Sequence, residues 1–191
     1  MTTRAVLLAA ALVACGNNGD TPADAANDAA SDAAIDTPGA SPLRINEVMP
    51  SNVAACADPL GGHADWVELY NPSSADIDLG GYTVSDDLAV PLKSTLLPGL
   101  VVPAQGYRML WCDDDIEQGP DHVAFKLSAG GEAFAIFDPG GTMVDSFTWT
   151  NAGNDVAYAR VPDGSGAFAS CAATCAASNG PSCATALRGT R

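Results

Sequence analysis

From Leu43 onward the sequence breaks into short apolar runs that never sustain a helical period, and that rhythm restricts the chain to an all-β fold. "LRINEVM" (43–49), "DWVELYN" (65–71) and "GYTVSD" (81–86) open the series. "GYRMLWC" (106–112), "HVAFKL" (122–127), "EAFAIFD" (132–138) and "TMVDSFTW" (142–149) continue it, and "DVAYARV" (155–161) closes it. The connections "SAGGE" and "DPGGT" place glycine where tight hairpins need positive φ. Strand parity in "DWVELYN" puts Val67 and Leu69 on one face as core contacts. Trp66, Glu68 and Tyr70 share the other face, so Glu68 is expected to meet solvent between two aromatic shoulders.

The amino-terminal part has a different texture. "MTTRAVLLAAALVACGNNG" joins one Arg to an apolar run, Ala5 to Ala14, too short to cross a bilayer as a helix of about 20 residues. Its length suits the apolar core of a signal peptide over residues 1–14. The tetrad Leu12-Val13-Ala14-Cys15 resembles a bacterial lipobox, which implies cleavage before Cys15 and acylation of that residue; the alternative is an ordinary signal peptide with an incidental cysteine. Gly16 stands where the familiar inner-membrane retention signal has Asp, so the resemblance implies an outer-membrane address, periplasmic or surface-exposed. Residues 15–42 continue as an Ala/Asp-rich tether in which Asp20, Asp24, Asp28, Asp32 and Asp36 recur every fourth position. A helix would stack those like charges on one face, and the segment has no apolar face to bury, so it reads as a disordered spacer. The organisation expected is therefore signal 1–14, tether 15–42, β domain 43–165 and a Cys-rich tail 166–191 packing on or trailing the domain.

Charge excludes some partners. With 23 Asp and Glu against 8 Lys and Arg, the formal charge is −15, which repels nucleic-acid phosphates and anionic headgroups. Asp76, Asp78, Asp86 and Asp87 lie at strand ends or turns, where Asp commonly accepts from backbone amides. No pair of carboxylates is recognisable as a general acid and base, and no G-x-S-x-G or H-E-x-x-H accompanies His63, Asp65 or His122, so no catalytic residue is assigned. His122 opens a strand and is expected at its exposed edge. The densest acidic loop is "WCDDDIEQGPDH" (111–122), where Asp113, Asp114, Asp115 and Asp121 supply hard oxygen atoms suited to weak calcium binding. It lacks the EF-hand spacing, and a solvated loop that keeps a strand end soluble accounts for it as well. No other cofactor is expected.

Setting Cys15 aside leaves five cysteines, and export to an oxidising compartment favours disulfides. Cys56 follows the first strand and Cys112 ends a central one, so a Cys56–Cys112 bridge is expected. One further bridge is expected among Cys171, Cys175 and Cys183, with the odd thiol left free or bridging two molecules.

The blocks "LRINEVMPSN", "DWVELYNPSSADIDLGGYTVSDD", "LPGLVVPAQGYRMLWC", "HVAFKLSAGGEAFAIFDPGG" and "VDSFTW" resemble, in order, those of bacterial lamin-tail domains. Tyr82 stands where many relatives carry Trp, and Ala124 where many carry Asn. The resemblance implies an immunoglobulin-like β-sandwich without shared catalytic residues. Taken together with the lipobox resemblance at residues 12–15, the expectation is a non-enzymatic envelope or surface lipoprotein, membrane-held by its lipid anchor, whose domain serves adhesion or recruitment of a protein or cell-surface partner. A structural envelope spacer is the alternative, and a hydrolase accessory factor ranks below both.

Overall fold

A computed structural model describes residues 41–180 and Cys183. The signal segment, Cys15 and the tether up to residue 40 lie outside the described residues. Twelve strands form among those described: β1 (Arg44–Met49), β2 (Asp65–Tyr70), β3 (Ile77–Asp78), β4 (Thr83–Ser85), β5 (Ser94–Thr95), β6 (Val101–Val102), β7 (Tyr107–Cys112), β8 (His122–Val123), β9 (Glu132–Phe137), β10 (Met143–Trp149), β11 (Ala157–Val161) and β12 (Ala167–Cys171). Six make one sheet in the order β12-β11-β1-β2-β7-β8, four make a second in the order β10-β9-β4-β5, and β3 pairs with β6.

The two larger sheets form an all-β sandwich. Ile45, Val67, Leu69 and Leu110 from the first sheet meet Val84, Phe134 and Ile136 from the second in one apolar cluster. Each of these side chains is buried, at about 1.5–3 kcal/mol apiece for removal from water. Alternation along β2 works as parity predicts: Val67 and Leu69 enter this core, while Trp66 packs on the opposite face with Met49, Trp111 and Cys56.

Local chemistry closes the turns. In the β9–β10 hairpin the Asp138 N–H donates to the Thr142 carbonyl at 2.8 Å, with Gly141 at φ 81°. Gly131 takes φ 126° and lies so close to Thr150 that an added Cβ would sit 2.9 Å from its carbonyl oxygen. Across the sandwich, both carboxylate oxygens of Asp145 on β10 lie 3.1 Å from Arg160 Nη2 on β11. Asp145 also accepts from the Ile45 N–H at 3.0 Å, tying the sheets together at β1.

Two departures from the expected layout have simple causes. Of "HVAFKL" only His122–Val123 forms a strand, parallel to β7, and the chain then meets Asp113 again through an isolated bridge at Lys126. The sandwich expected to end at residue 165 runs on to Cys171, because β12 pairs along all of β11 from Ala157↔Cys171 to Val161↔Ala167. Its sequence, "AFASC", is small and weakly alternating, so backbone pairing rather than a hydrophobic pattern defines it.

Candidate functional site

The six-stranded sheet carries an unexpected feature on its outer face. A register shift in β1 between Ile45 and Glu47 leaves Asn46 as an extra residue, so Glu47 comes directly opposite Glu68. Both glutamates are fully buried. The expectation that Glu68 meets solvent is therefore corrected: it does lie on the face that parity indicates, but the segment after β12 folds over that face. Ala173 packs beside Trp66 and Trp111, and Cys175 and Ala176 both take positive φ, turning the segment back across the sheet.

This cap engages the acids individually. The Thr174 hydroxyl donates to Glu47 Oε2 at 2.7 Å and its N–H approaches Oε1 at 3.2 Å. Asn46 Nδ2 donates to Glu68 Oε1 at 2.9 Å and to Asp163 Oδ1 at 3.0 Å. Glu68 Oε2 has no partner among the described residues. Asp163, in the turn between β11 and β12, also accepts from the Tyr107 hydroxyl and from the Asn179 N–H, each at 3.0 Å.

Three acids in one buried patch thus have opposite fates. Burial pushes Glu47 up to about 7, with the Thr174 hydrogen bonds pulling back. Burial pushes Glu68 up to about 8, eased by Asn46 and aggravated by the neighbouring Glu47 charge. Burial also works against Asp163, but donors from Ser178, Asn179, Asn46 and Tyr107 outweigh it and hold its carboxyl below the ordinary range. The patch favours the charge on Asp163 and disfavours charge on Glu47 and Glu68.

The cap is stapled at both ends by disulfides, Cys56–Cys175 and Cys171–Cys183. The second falls within the trio expected to hold one bridge. The Cys56–Cys112 expectation is overturned, and strand parity explains why. Cys112 follows Trp111 on β7 and so faces the inter-sheet core, whereas Cys56 packs on the outer face with Met49 and Trp66. A sheet separates the two thiols. Cys112 is the free cysteine among the described residues, and burial raises its thiol well above the ordinary value.

The acidic loop between β7 and β8 is arranged differently from a calcium cage. Asp113 Oδ2 lies 2.8 Å from His122 Nδ1, and Asp115 accepts from Gln118 Nε2 at 2.9 Å. Asp114 is exposed at φ 62°, and Asp121 stands at the far end of the loop. Among the described residues, no three His, Cys, Asp or Glu side chains form a group able to hold a metal ion. His122, expected at an exposed edge, is buried, because the loop folds Asp113 back onto its ring. His122 also lines a cavity of about 280 Å³ between β5 and β8.

The remaining candidates serve the fold. His63 Nδ1 contacts the Cys56 carbonyl at 3.2 Å, and Asp65 accepts from the Asn52 N–H at 2.9 Å, so the two are not a catalytic pair. Asp76, Asp78 and Asp87 each accept from backbone N–H groups, at 2.9 Å from Ala104, 2.8 Å from Gly80 and 2.8 Å from Ala89. Asp86 pairs with Lys93. The buried Glu47–Glu68 pair escapes sequence reasoning because its burial depends on a tail far along the chain; the only local signal is the match of two acids on strands that run antiparallel.

A family model described as Lamin Tail Domain matches residues 36–151, more than half of the 191-residue chain. No curated protein and no solved structure matches the chain.

Proposed function

This chain belongs to the lamin tail domain family, an immunoglobulin-like β domain compatible with a non-enzymatic binding module, and we propose that it acts by adhesion or protein recruitment at a bacterial cell envelope. In this reading Cys15 carries the lipid anchor, residues 16–42 hold the sandwich away from the outer membrane, and the domain presents its loops and strand edges to a partner. The observation that carries the recruitment part is a set of large apolar side chains left in water on connecting loops. Leu88, Val90 and Leu92 lie between β4 and β5, Leu97 follows β5, and Ile116 stands in the acidic loop; Leu92 is 70% and Ile116 61% exposed. Leu97 and Ile116 line one cleft together, and exposed apolar groups gathered at one place are the usual mark of a contact surface.

Two experiments test this. Protease shaving of intact cells, beside a Cys15→Ala control, reads the address: loss of the domain without lysis supports surface display, and unchanged retention of Cys15→Ala overturns the lipid anchor. Capture of a surface partner by the purified protein reads the task. Polar substitutions at Leu92, Leu97 and Ile116 should abolish capture at an unchanged melting temperature. Equal capture by all three would sink the recruitment reading.

A further inference from the structure

Taking the recruitment reading as its starting point, we propose that the cleft between β5 and β8 is the docking site for an extended segment of a partner protein, one presenting an aliphatic side chain flanked by lysines or arginines. The cleft opens where the two sheets end side by side, since β5 terminates the four-stranded sheet and β8 the six-stranded one. Its floor is sealed by the Ala124 N–H donating to Ser94 Oγ at 3.2 Å. Thr95 and Leu97 form one wall, and Ile116, Pro120 and His122 the other. At about 280 Å³ it falls just short of the roughly 300–1,000 Å³ typical of pockets for drug-sized ligands. It suits one branched side chain with part of its backbone.

Three features choose the occupant. The first is backbone. Ser94 and Leu96 face the core, and the Leu96 N–H donates inward to Tyr82 at 2.8 Å. By the alternation of an antiparallel ladder, Thr95 then turns its N–H and carbonyl outward to the free edge. An extended peptide can pair there, as partners do when they add a strand to a sheet. The second is His122, whose side chain is only 2% exposed and whose Nδ1 is engaged by Asp113 at 2.8 Å. The other ring nitrogen has no hydrogen-bond partner among the described residues. In the neutral tautomer whose Nδ1 proton faces Asp113, that nitrogen carries a lone pair, and the ring lines the cleft that a donor would enter. The third is charge. The loop carrying Ile116 also carries Asp113, Asp114, Asp115, Glu117 and Asp121, while the ammonium of Lys93 at the cleft is already paired with Asp86. The loop that supplies Ile116 and Pro120 to one wall thus carries five carboxylates and no cation, and an acidic loop beside the slot selects a basic flank around an apolar anchor and repels nucleic acid and a second copy of this acidic chain.

The test uses the full oxidised chain and an immobilised set of capped threonine-rich peptides of about nine residues, each with one varied central position and either Lys or Glu flanks. Lys-flanked peptides with Leu, Ile or Val at the centre should bind, and the Glu-flanked set should bind at least about tenfold more weakly at low salt. Filling the slot with Ala124→Leu, or stripping its rim with Ile116→Ser, should each weaken the best peptide by about tenfold or more. N-methylation of the central peptide residue should weaken it on the unaltered protein, since that removes an edge donor. Indifference to the central residue or to flank charge, or affinities within about twofold for both variants, would overturn the cleft. If Ala124→Leu melts early, Ile116→Ser, which alters an exposed side chain, decides the question by itself. Dimerisation that the same two variants abolish would overturn the partner in favour of a second copy. A negative peptide result with surface capture intact sinks the cleft only; loss of capture discrimination across all loop variants sinks recruitment itself.

Discussion

Replacing Glu68 by glutamine should stabilise the protein, and the gain should grow with pH. The folded-state value of Glu68 is raised from 4.5 to about 8 and that of Glu47 from 4.5 to about 7. The folded protein therefore holds more protons than the unfolded chain between those limits, so stability is fullest below about pH 4.5 and is lost as pH rises through about 8. At ~1.36 kcal/mol per unit the displacement of Glu68 corresponds to roughly 5 kcal/mol, and that of Glu47 to roughly 3 kcal/mol. The two overlap, because each carboxylate is penalised partly by the other. The groups facing Glu68 are Glu47 on β1, Tyr107 on β7 and Asp163 in the β11–β12 turn, and the cap contributes Thr174 and Asn179, which carry no charge. A glutamine keeps the bond that Asn46 donates and cannot ionise. Urea unfolding of the oxidised protein at about pH 5 and about pH 9 should show the wild type declining, while E68Q declines by about 2–5 kcal/mol less. Apart from that of Glu47, which is coupled to Glu68, every other titration is common to both proteins and cancels in the comparison. Parallel profiles, agreeing within about 1 kcal/mol at both ends, would refute the claim that this buried carboxyl is neutral in the fold.

Other outcomes follow from the same geometry. Peptide mapping under non-reducing conditions should recover Cys56 linked to Cys175 and Cys171 linked to Cys183, and Cys175→Ser should lower stability by up to about 5 kcal/mol, since the bridge spans 119 residues. Cys112 should resist a thiol reagent in the native protein and react stoichiometrically in denaturant, being buried in the inter-sheet core. Asp145→Ala should cost about 3 kcal/mol in a thermal or urea melt, because it removes the carboxylate paired with Arg160 and the acceptor of the Ile45 N–H at the junction of the two sheets. Gly131→Ala should cost more than the ~1 kcal/mol of an ordinary glycine exchange, since φ 126° and the Thr150 backbone both oppose a Cβ.

Much of the architecture was legible because sheets write themselves into sequence with period two. Val67 and Leu69 could be placed in the core, and Trp66 and Glu68 on the reverse, from a six-residue run alone. What lay on that reverse could not be read there. Whether a strand face is wet depends on what the rest of the chain lays over it, and here the cover arrives more than a hundred residues later as Ala173, Thr174 and Ala176. The same remoteness hides the cysteine pairing: Cys56 lies in the β1–β2 loop against the outer face, while Cys112 ends β7 and faces inward. Parity applied to Trp111-Cys112 as to Trp66-Val67 places Cys112 inside, while the side taken by Cys56 is set by the loop. The two-residue strands β3, β5 and β6 left no pattern because two positions cannot alternate. The partnership of Asp113 with His122 is likewise a product of loop closure, nine residues apart in a stretch without regular structure.

The covered face also decides where this domain can meet anything else. A half-exposed antiparallel sheet normally offers its solvent face as a surface, but here Trp66, Trp111, Met49 and the two glutamates are sealed beneath a segment held by two disulfides. Opening that face would require releasing a segment that two disulfides hold down. On the recruitment proposal, the capped face of the six-stranded sheet is closed to a partner, while the margin where β5 and β8 end, with Leu97 and Ile116 in water, is open to one. The two features divide the work: the cap makes the six-stranded sheet a closed scaffold, and the acidic loop, whose Asp113 is committed to His122, shapes an apolar slot that stays open beside it.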